Sequence, residues 1–215
     1  MTKNKKISLQ LAALATLVVF GYQNCAPGTL NSRSSASVND SFSECADGLC
    51  EVIDQKVVGV SNSQNTLTSM LQQTGVTNPS RNTRDAYTNQ GTKISETGAA
   101  NSITAPMWVA VTTISSEVCN DLIAQEKALA SANRRFYNAV DFTKGYNMLS
   151  AEGKEDVIRR MARSFWARNE SGQEKILIRS TLDSVFNGGT NAESTEDAAL
   201  FLCTTMLSSL KANVY

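Results

Sequence analysis

The chain has 215 residues, 41% of them hydrophobic, which is enough for one ordinary domain with a real core plus extensions and excludes a wholly disordered chain. Its 20 basic residues balance 20 acidic ones, but Lys3, Lys5 and Lys6 precede any acid and no acid precedes Cys25, so the remainder is net acidic and nucleic acid is not an expected partner. The complete absence of histidine removes the usual general base near neutral pH, the usual zinc nitrogen ligand and the usual axial haem ligand.

Residues 1–24 have the three-part form of an export leader. The basic start is followed by an apolar run, Ile7 to Phe20, in which only Ser8, Gln10 and Thr16 are polar. Its 14 residues fall short of the roughly 20 that cross a bilayer as a helix, so a cleaved signal peptide is expected. Gly21-Tyr22-Gln23-Asn24-Cys25 follows directly, then Ala26-Pro27-Gly28 and a serine-rich stretch. This arrangement resembles the lipidation site of a bacterial lipoprotein, with Tyr22 and Asn24 standing where the usual lipobox has Leu and Gly or Ala. The Gln-Asn-Cys ending is similar to lipoprotein leaders of predatory bacteria of the delta group. The resemblance implies a diacylglycerol on Cys25. Ala26, where an inner-membrane retention signal commonly has Asp, implies the outer membrane. An ordinary secretory leader, with Cys25 as one more disulfide thiol, is the alternative.

The cysteine count fits the anchor. Five cysteines cannot all pair within one chain in an oxidising compartment, and assigning Cys25 to lipid leaves four. Acyl chains contribute about 0.8 kcal/mol per buried methylene, so two or three of them hold a protein on a membrane without a spanning helix.

Residues 25–44, rich in Ser and Asn, are expected to form the anchor and a flexible tether, because such a composition buries too little surface to offset chain entropy. Residues 45–104 are expected to be a disulfide-stapled polar region, partly loop. Cys45-Ala46-Asp47-Gly48-Leu49-Cys50 places an Asp-Gly turn between two thiols and predicts a local Cys45–Cys50 disulfide. The apolar set Val57, Val58, Val60, Leu67, Met70 and Leu71 is compatible with a strand or a short helix. From Gln72 to Thr104 the polar composition shows no periodicity, which reads as a long loop or a binding segment.

Residues 105–215 predict a helical domain. Met107, Val111, Ile114, Val118, Cys119 and Leu122 recur at intervals of three and four, a helix from about Pro106 to Leu129. Ser131 to Asn147 is a connector too long for a tight turn, with room for one more short helix. A second helix from near Ser150 carries Val157, Ile158, Met161, Phe165 and Trp166 on one side and pairs Glu155 with Arg159 and Asp156 with Arg160 on the other. Ser171-Gly172-Gln173-Glu174 matches a capping box for a third, which runs through Ile178, Leu182, Val185 and Phe186 to a stop at Gly188-Gly189. A last helix from about Thr195 to Lys211 aligns Ala199, Cys203, Met206, Leu207 and Leu210.

The expected fold class is therefore all-α: a disulfide-pinned bundle of about four helices after a flexible N-terminal tether. Cys119 and Cys203 lie on the apolar faces of the first and last helices, which predicts a disulfide between them. Closing that loop would contribute on the order of 4.5 kcal/mol by chain-entropy scaling.

Chemistry-bearing patterns are sparse. Ser208-Ser209-Leu210-Lys211 matches the Ser-x-x-Lys string of penicillin-recognising enzymes, but the accompanying Ser-Asp-Asn and Lys-Thr-Gly strings are missing, and the match reads as coincidence. Glu152, Glu155 and Asp156 form one acidic group and Glu193, Glu196 and Asp197 another. Both fall in first turns of expected helices, where negative charge meets the helix dipole. Arg134, Arg135, Arg160 and Arg163 are the candidate binding residues for an anionic envelope polymer or an acidic partner, against a solvated basic face as the simpler reading. No haem, phosphate-loop, calcium-loop or dinucleotide motif is present, and neither a cofactor nor a metal is expected.

Arg134-Arg135-Phe136-Tyr137, Arg160-Met161-Ala162-Arg163-Ser164-Phe165-Trp166 and Leu202-Cys203-Thr204-Thr205-Met206-Leu207-Ser208-Ser209 together resemble a helical segment of uncharacterised exported proteins of delta-group bacteria. That segment is distantly similar to helical domains attached to planctomycete-type cytochromes. The resemblance implies a shared helical fold over about Pro106 to Tyr215 and carries over no catalytic residue. The expectation is a non-catalytic outer-membrane lipoprotein that binds an envelope protein partner. The alternative is an envelope enzyme acting on peptidoglycan or a related polymer through carboxylates.

Overall fold

Thr104 accepts the N–H of Met107 through its hydroxyl, Pro106 occupies the first turn, and from there α3, Ala105–Lys127, runs as the longest helix among the described residues of the protein's computed structural model. The structure describes residues 63–94 and 104–209, and no strand occurs among them. The leader, Cys25, the tether and the Cys45–Cys50 pair lie outside the described residues, as do Leu210 and Lys211.

Six helices are present among the described residues: α1 Ser63–Thr74, α2 Arg81–Gln90, α3, α4 Ala151–Phe165, α5 Gly172–Phe186 and α6 Ala192–Leu207. The central relationship is α3 against α6; α1 and α2 pack on α3, α4 and α5 pack on α6, and α1 also meets α4. The expected apolar stripe on α3 is the core: Met107, Val111, Ile114, Val118, Cys119 and Leu122 are all buried. Opposite them α6 buries Ala199, Leu202, Cys203, Met206 and Leu207, and α4 adds Val157, Ile158, Met161 and Phe165. Burial of each large apolar side chain stabilises by roughly 1.5–3 kcal/mol before entropy is counted. No helix among the described residues is long and apolar enough to cross a membrane.

Each helix expected after residue 105 forms within a few residues of its expected bounds. Ser150 caps α4 and Ser171 with Glu174 closes the capping box of α5. The disulfide between Cys119 and Cys203 is present, with Cα atoms 5.8 Å apart and both residues fully buried between α3 and α6.

Two readings change. The undecided set ending at Leu71 lies in part on α1, a helix that buries Met70. The segment read as loop or binding stretch contains α2, which buries only Thr83. Polar contacts hold α2 in place: Asp121 on α3 accepts the Ser80 N–H at 2.8 Å and the Thr83 hydroxyl at 2.6 Å, while the Ser80 hydroxyl caps the helix. Val76 and Ile94 on either side of α2 belong to the core with Met70.

Candidate functional site

Among the described residues, four linked ion pairs lie where α4, α5 and the short 3-10 turn Tyr146–Met148 meet. The chain reaches α4 through this turn, which buries Tyr146. The Tyr146 hydroxyl donates to Asp183 Oδ1 at 2.8 Å, and Lys154 Nζ donates to the same oxygen at 3.0 Å while sitting 3.8 Å from the Tyr146 ring centroid. One turn earlier on α5, Arg179 reaches Glu155 at 2.6 Å and Asp183 at 3.7 Å, and Lys175 reaches Glu155 at 3.4 Å. The result is a chain of alternating charge: Lys175, Glu155, Arg179, Asp183, Lys154.

The electrostatics follow from that alternation. The Lys175 charge, with Arg179 behind it, outweighs desolvation and holds the Glu155 carboxyl below the usual carboxylate range. Burial pushes Asp183 upward, but hydrogen bonds from Tyr146 and Lys154 and the charges of Lys154 and Arg179 more than offset it, leaving the group lowered. Burial, then the bond to Asp183, pushes the Tyr146 phenol far up, so it remains a donor. Both carboxylates are thus held ionised. A general acid for glycoside hydrolysis needs the opposite shift.

A cavity of about 30 Å³, room for a water or two, lies beneath this group, lined by Tyr137, Tyr146, Leu149, Lys154, Leu182 and Thr195 among others. Among the described residues no cluster of carboxylates or thiols forms that would hold a metal ion.

The expected intrahelical pair Glu155–Arg159 is corrected by this geometry. Glu155 pairs across to α5 instead, because two cations on the facing helix, one giving a 2.6 Å contact, outcompete one on its own exposed face. Arg159 turns to Asp156 at 3.5 Å, and Asp156 holds Arg160 at 2.6 Å as expected.

The four candidate binding arginines do not converge on one open site. Arg134 turns inward: its Nε donates to the carbonyls of Glu126 and Leu129, Nη1 to that of Val140, and the guanidinium lies over the Phe142 ring. Arg135 stacks on Phe136 and donates to Ser164, whose own hydroxyl bonds the Gln73 carbonyl of α1. Arg160 spends Nε on Asp156 and Nη1 on the Arg135 carbonyl. Arg163 donates to Asn169. The solvated-face reading fails for Arg134, whose contacts are those of a brace.

The acidic groups largely serve as caps and pairs. Glu152 and Glu193 occupy first turns of α4 and α6, and Glu196 pairs with Lys127 of α3. Ser208 is the C-cap of α6, and the Ser209 hydroxyl accepts the Trp166 indole N–H at 2.8 Å, so the Ser-x-x-Lys string sits in helix-end packing.

One residue with an unusual environment carries little signal in the sequence. Glu126, fully buried on α3, accepts the main-chain N–H groups of Arg135, Phe136 and Tyr137. Its position four residues after Leu122, continuing the apolar stripe, was the available signal. On the open side of α5, Ile176 and Leu177 are 68% and 56% exposed, beside uncharged Gln173, Ser180 and Ser184.

Comparisons of this chain with family models, with curated proteins and with solved structures found no match.

Proposed function

We propose that this chain is an exported bacterial lipoprotein, anchored at the outer membrane through a lipid on Cys25, whose disulfide-pinned helical domain acts as a non-catalytic binding or structural module for another envelope protein. The observation that carries the reading is the buried Cys119–Cys203 disulfide. Such bonds persist in oxidising compartments and are rare where cytosolic thiol reductants act. The form of residues 1–24 and the leftover thiol at Cys25 support the same address. Against Glu155 as the general acid of a carboxylate enzyme stands its engagement by two cations, which holds it ionised.

The test is the intact mass of the protein purified from its native membrane, with Cys25→Ser beside it. A processed start at Cys25 carrying diacylglycerol, lost together with outer-membrane fractionation in Cys25→Ser, is the expected result. An unprocessed start, or a trimmed one without fatty acid, overturns the anchor. In-cell crosslinking is expected to join the helical domain to one envelope protein in fixed ratio. Peptidoglycan turnover by the purified protein that disappears in Glu155→Gln or Glu196→Gln overturns the non-catalytic reading.

A further inference from the structure

Phe186 ends α5, and Asn187-Gly188-Gly189 leads to α6; this is the one Asn-Gly pair in the sequence. In such a pair the main-chain nitrogen of the glycine can reach the side-chain amide carbon of the asparagine, because glycine turns freely and carries no side chain to block the approach. The fold leaves that route open. Asn187 and Gly188 are both exposed, and a Cβ built on Gly188 meets nothing within 4 Å. Neither the Asn187 carboxamide nor the Gly188 N–H makes a hydrogen bond among the described residues. Asn187 has helical angles, φ −60° and ψ −23°, so closure requires rotation about its ψ. That rotation lies beyond the last helical residue and gives up the Gly189 N–H bond to the Phe186 carbonyl, leaving the bond of the Asn187 N–H to the Asp183 carbonyl in place.

We infer that Asn187-Gly188 is a site of spontaneous deamidation, at which the folded protein acquires an isoaspartyl residue and becomes a substrate for an isoaspartyl carboxyl methyltransferase. The main-chain nitrogen of Gly188 attacks Asn187 Cγ, a C–N bond forms, and the side-chain nitrogen leaves as ammonia with the proton that Gly188 gives up. Water then opens the cyclic imide. Attack at Cγ yields an ordinary aspartyl linkage, and attack at the main-chain carbonyl yields the isoaspartyl one, with one extra methylene in the backbone. Water is the only co-reactant and nothing is oxidised.

The position gives the change a structural consequence. A new carboxylate at the end of α5 opposes the helix dipole. The extra methylene enters a turn with little slack: the Gly189 carbonyl accepts the Asn147 N–H at 3.2 Å, and a Cβ on Gly145 would stand 2.4 Å from the Thr190 carbonyl carbon. Asn147 follows Tyr146, whose hydroxyl donates to Asp183, so the isoaspartyl form is expected to loosen the charged cluster between α4 and α5.

The experiment ages the purified full chain at mildly alkaline pH, native and in urea, and follows the peptide containing residue 187 by mass and by labelling with an isoaspartyl methyltransferase. Conversion in the native protein is expected, slower than in urea by the rotation and the hydrogen bond that closure must give up, and rising with pH as the attacking nitrogen loses its proton more readily. Gly188→Ala, whose methyl enters open space, is expected to slow conversion by an order of magnitude or more with an unchanged melting temperature. Should that variant melt early, Asn187→Gln reports the same suppression. Retention of the Asn187 amide in the folded chain while the urea-treated chain converts overturns the inference, and so does conversion of Gly188→Ala at the wild-type rate.

Discussion

The Glu126 carboxylate, buried near the end of α3, accepts the main-chain N–H of Tyr137 at 2.9 Å and those of Phe136 and Arg135 at 3.0 and 3.1 Å. One side chain thereby pins the start of the connector that leads from α3 to α4. Phe136 and Tyr137 are then directed into the core, where the Tyr137 hydroxyl donates to the Ala199 carbonyl of α6. Burial, reinforced by the Glu126 charge, pushes the Tyr137 phenol well above its ordinary value, so it stays a donor.

Glu126→Gln tests the cradle. The amide keeps one acceptor oxygen but turns an NH2 toward main-chain donors, leaving at least one buried N–H unpaired. A loss of about 2 kcal/mol is expected, read as a lower denaturation midpoint at unchanged slope. A change below about 0.5 kcal/mol would show that the cradle contributes nothing measurable.

The disulfide gives a second expectation. Cys119 and Cys203 join the two central helices across 84 residues of chain, so removing the bond chiefly frees the unfolded state. The double variant Cys119→Ala, Cys203→Ala is expected to lose about 4 kcal/mol while keeping its helical signal, because the rest of the α3–α6 contact remains. Peptide mapping without reductant should link these two cysteines. Recovery of Cys45–Cys119 or Cys50–Cys203 peptides would refute the pairing.

How much of this was legible in the sequence depended on what holds each piece. The helices α3 and α6 and their disulfide were legible because Cys119 and Cys203 lie on stripes of three-and-four spacing, and packing two such stripes brings the thiols together. The helix α2 was not, because it is anchored by Ser80 and Thr83 on Asp121, a polar contact between segments far apart in the chain that leaves no apolar period. Spacing points Glu155 to the wrong partner for a related reason. Spacing along α4 offers Arg159, but only the docking of α5 brings Lys175 and Arg179 to it. Arg134 reads as surface charge in sequence because nothing local reveals the carbonyls it braces.

Acid should weaken the fold in a defined window. The Thr143 hydroxyl and N–H bonds lower Asp141 from 3.8 to about 2, and Lys144 assists. Glu155 and Asp183 are lowered as well. A carboxylate whose folded value lies below its unfolded one contributes stability that is fully present above the unfolded value and lost as pH falls toward the folded one. Unfolding free energy is therefore expected to hold steady above pH of about 5 and to decline from about 4 to about 2. In Asp141→Asn the decline should become shallower. An identical profile in that variant would exclude the Asp141 turn as a contributor.

Ala167, the residue after the C-cap of α4, has φ of +52°, the left-handed region that an alanine side chain disfavours. It is the only non-glycine residue with positive φ among the described residues. Its neighbours fix it there: Trp166 donates its indole N–H to Met206 and Ser209 at the end of α6, and Arg168 stacks on the Trp166 ring while pairing with Glu174 at 2.7 Å. The left-handed conformation costs a side-chain-bearing residue roughly 1–2 kcal/mol, whereas glycine adopts it freely. Glycine also makes the unfolded chain more flexible, which takes back about 0.4–1 kcal/mol. Ala167→Gly is accordingly expected to stabilise by about 0.5 kcal/mol, the reverse of what the same change does inside a helix. The comparison variant is Ala162→Gly, a buried alanine within α4, which should lose stability by about 1 kcal/mol or more. Thermal melts of the two variants side by side decide the matter, and a destabilised Ala167→Gly would mean that the α4–α5 turn does not hold residue 167 in the left-handed region in solution.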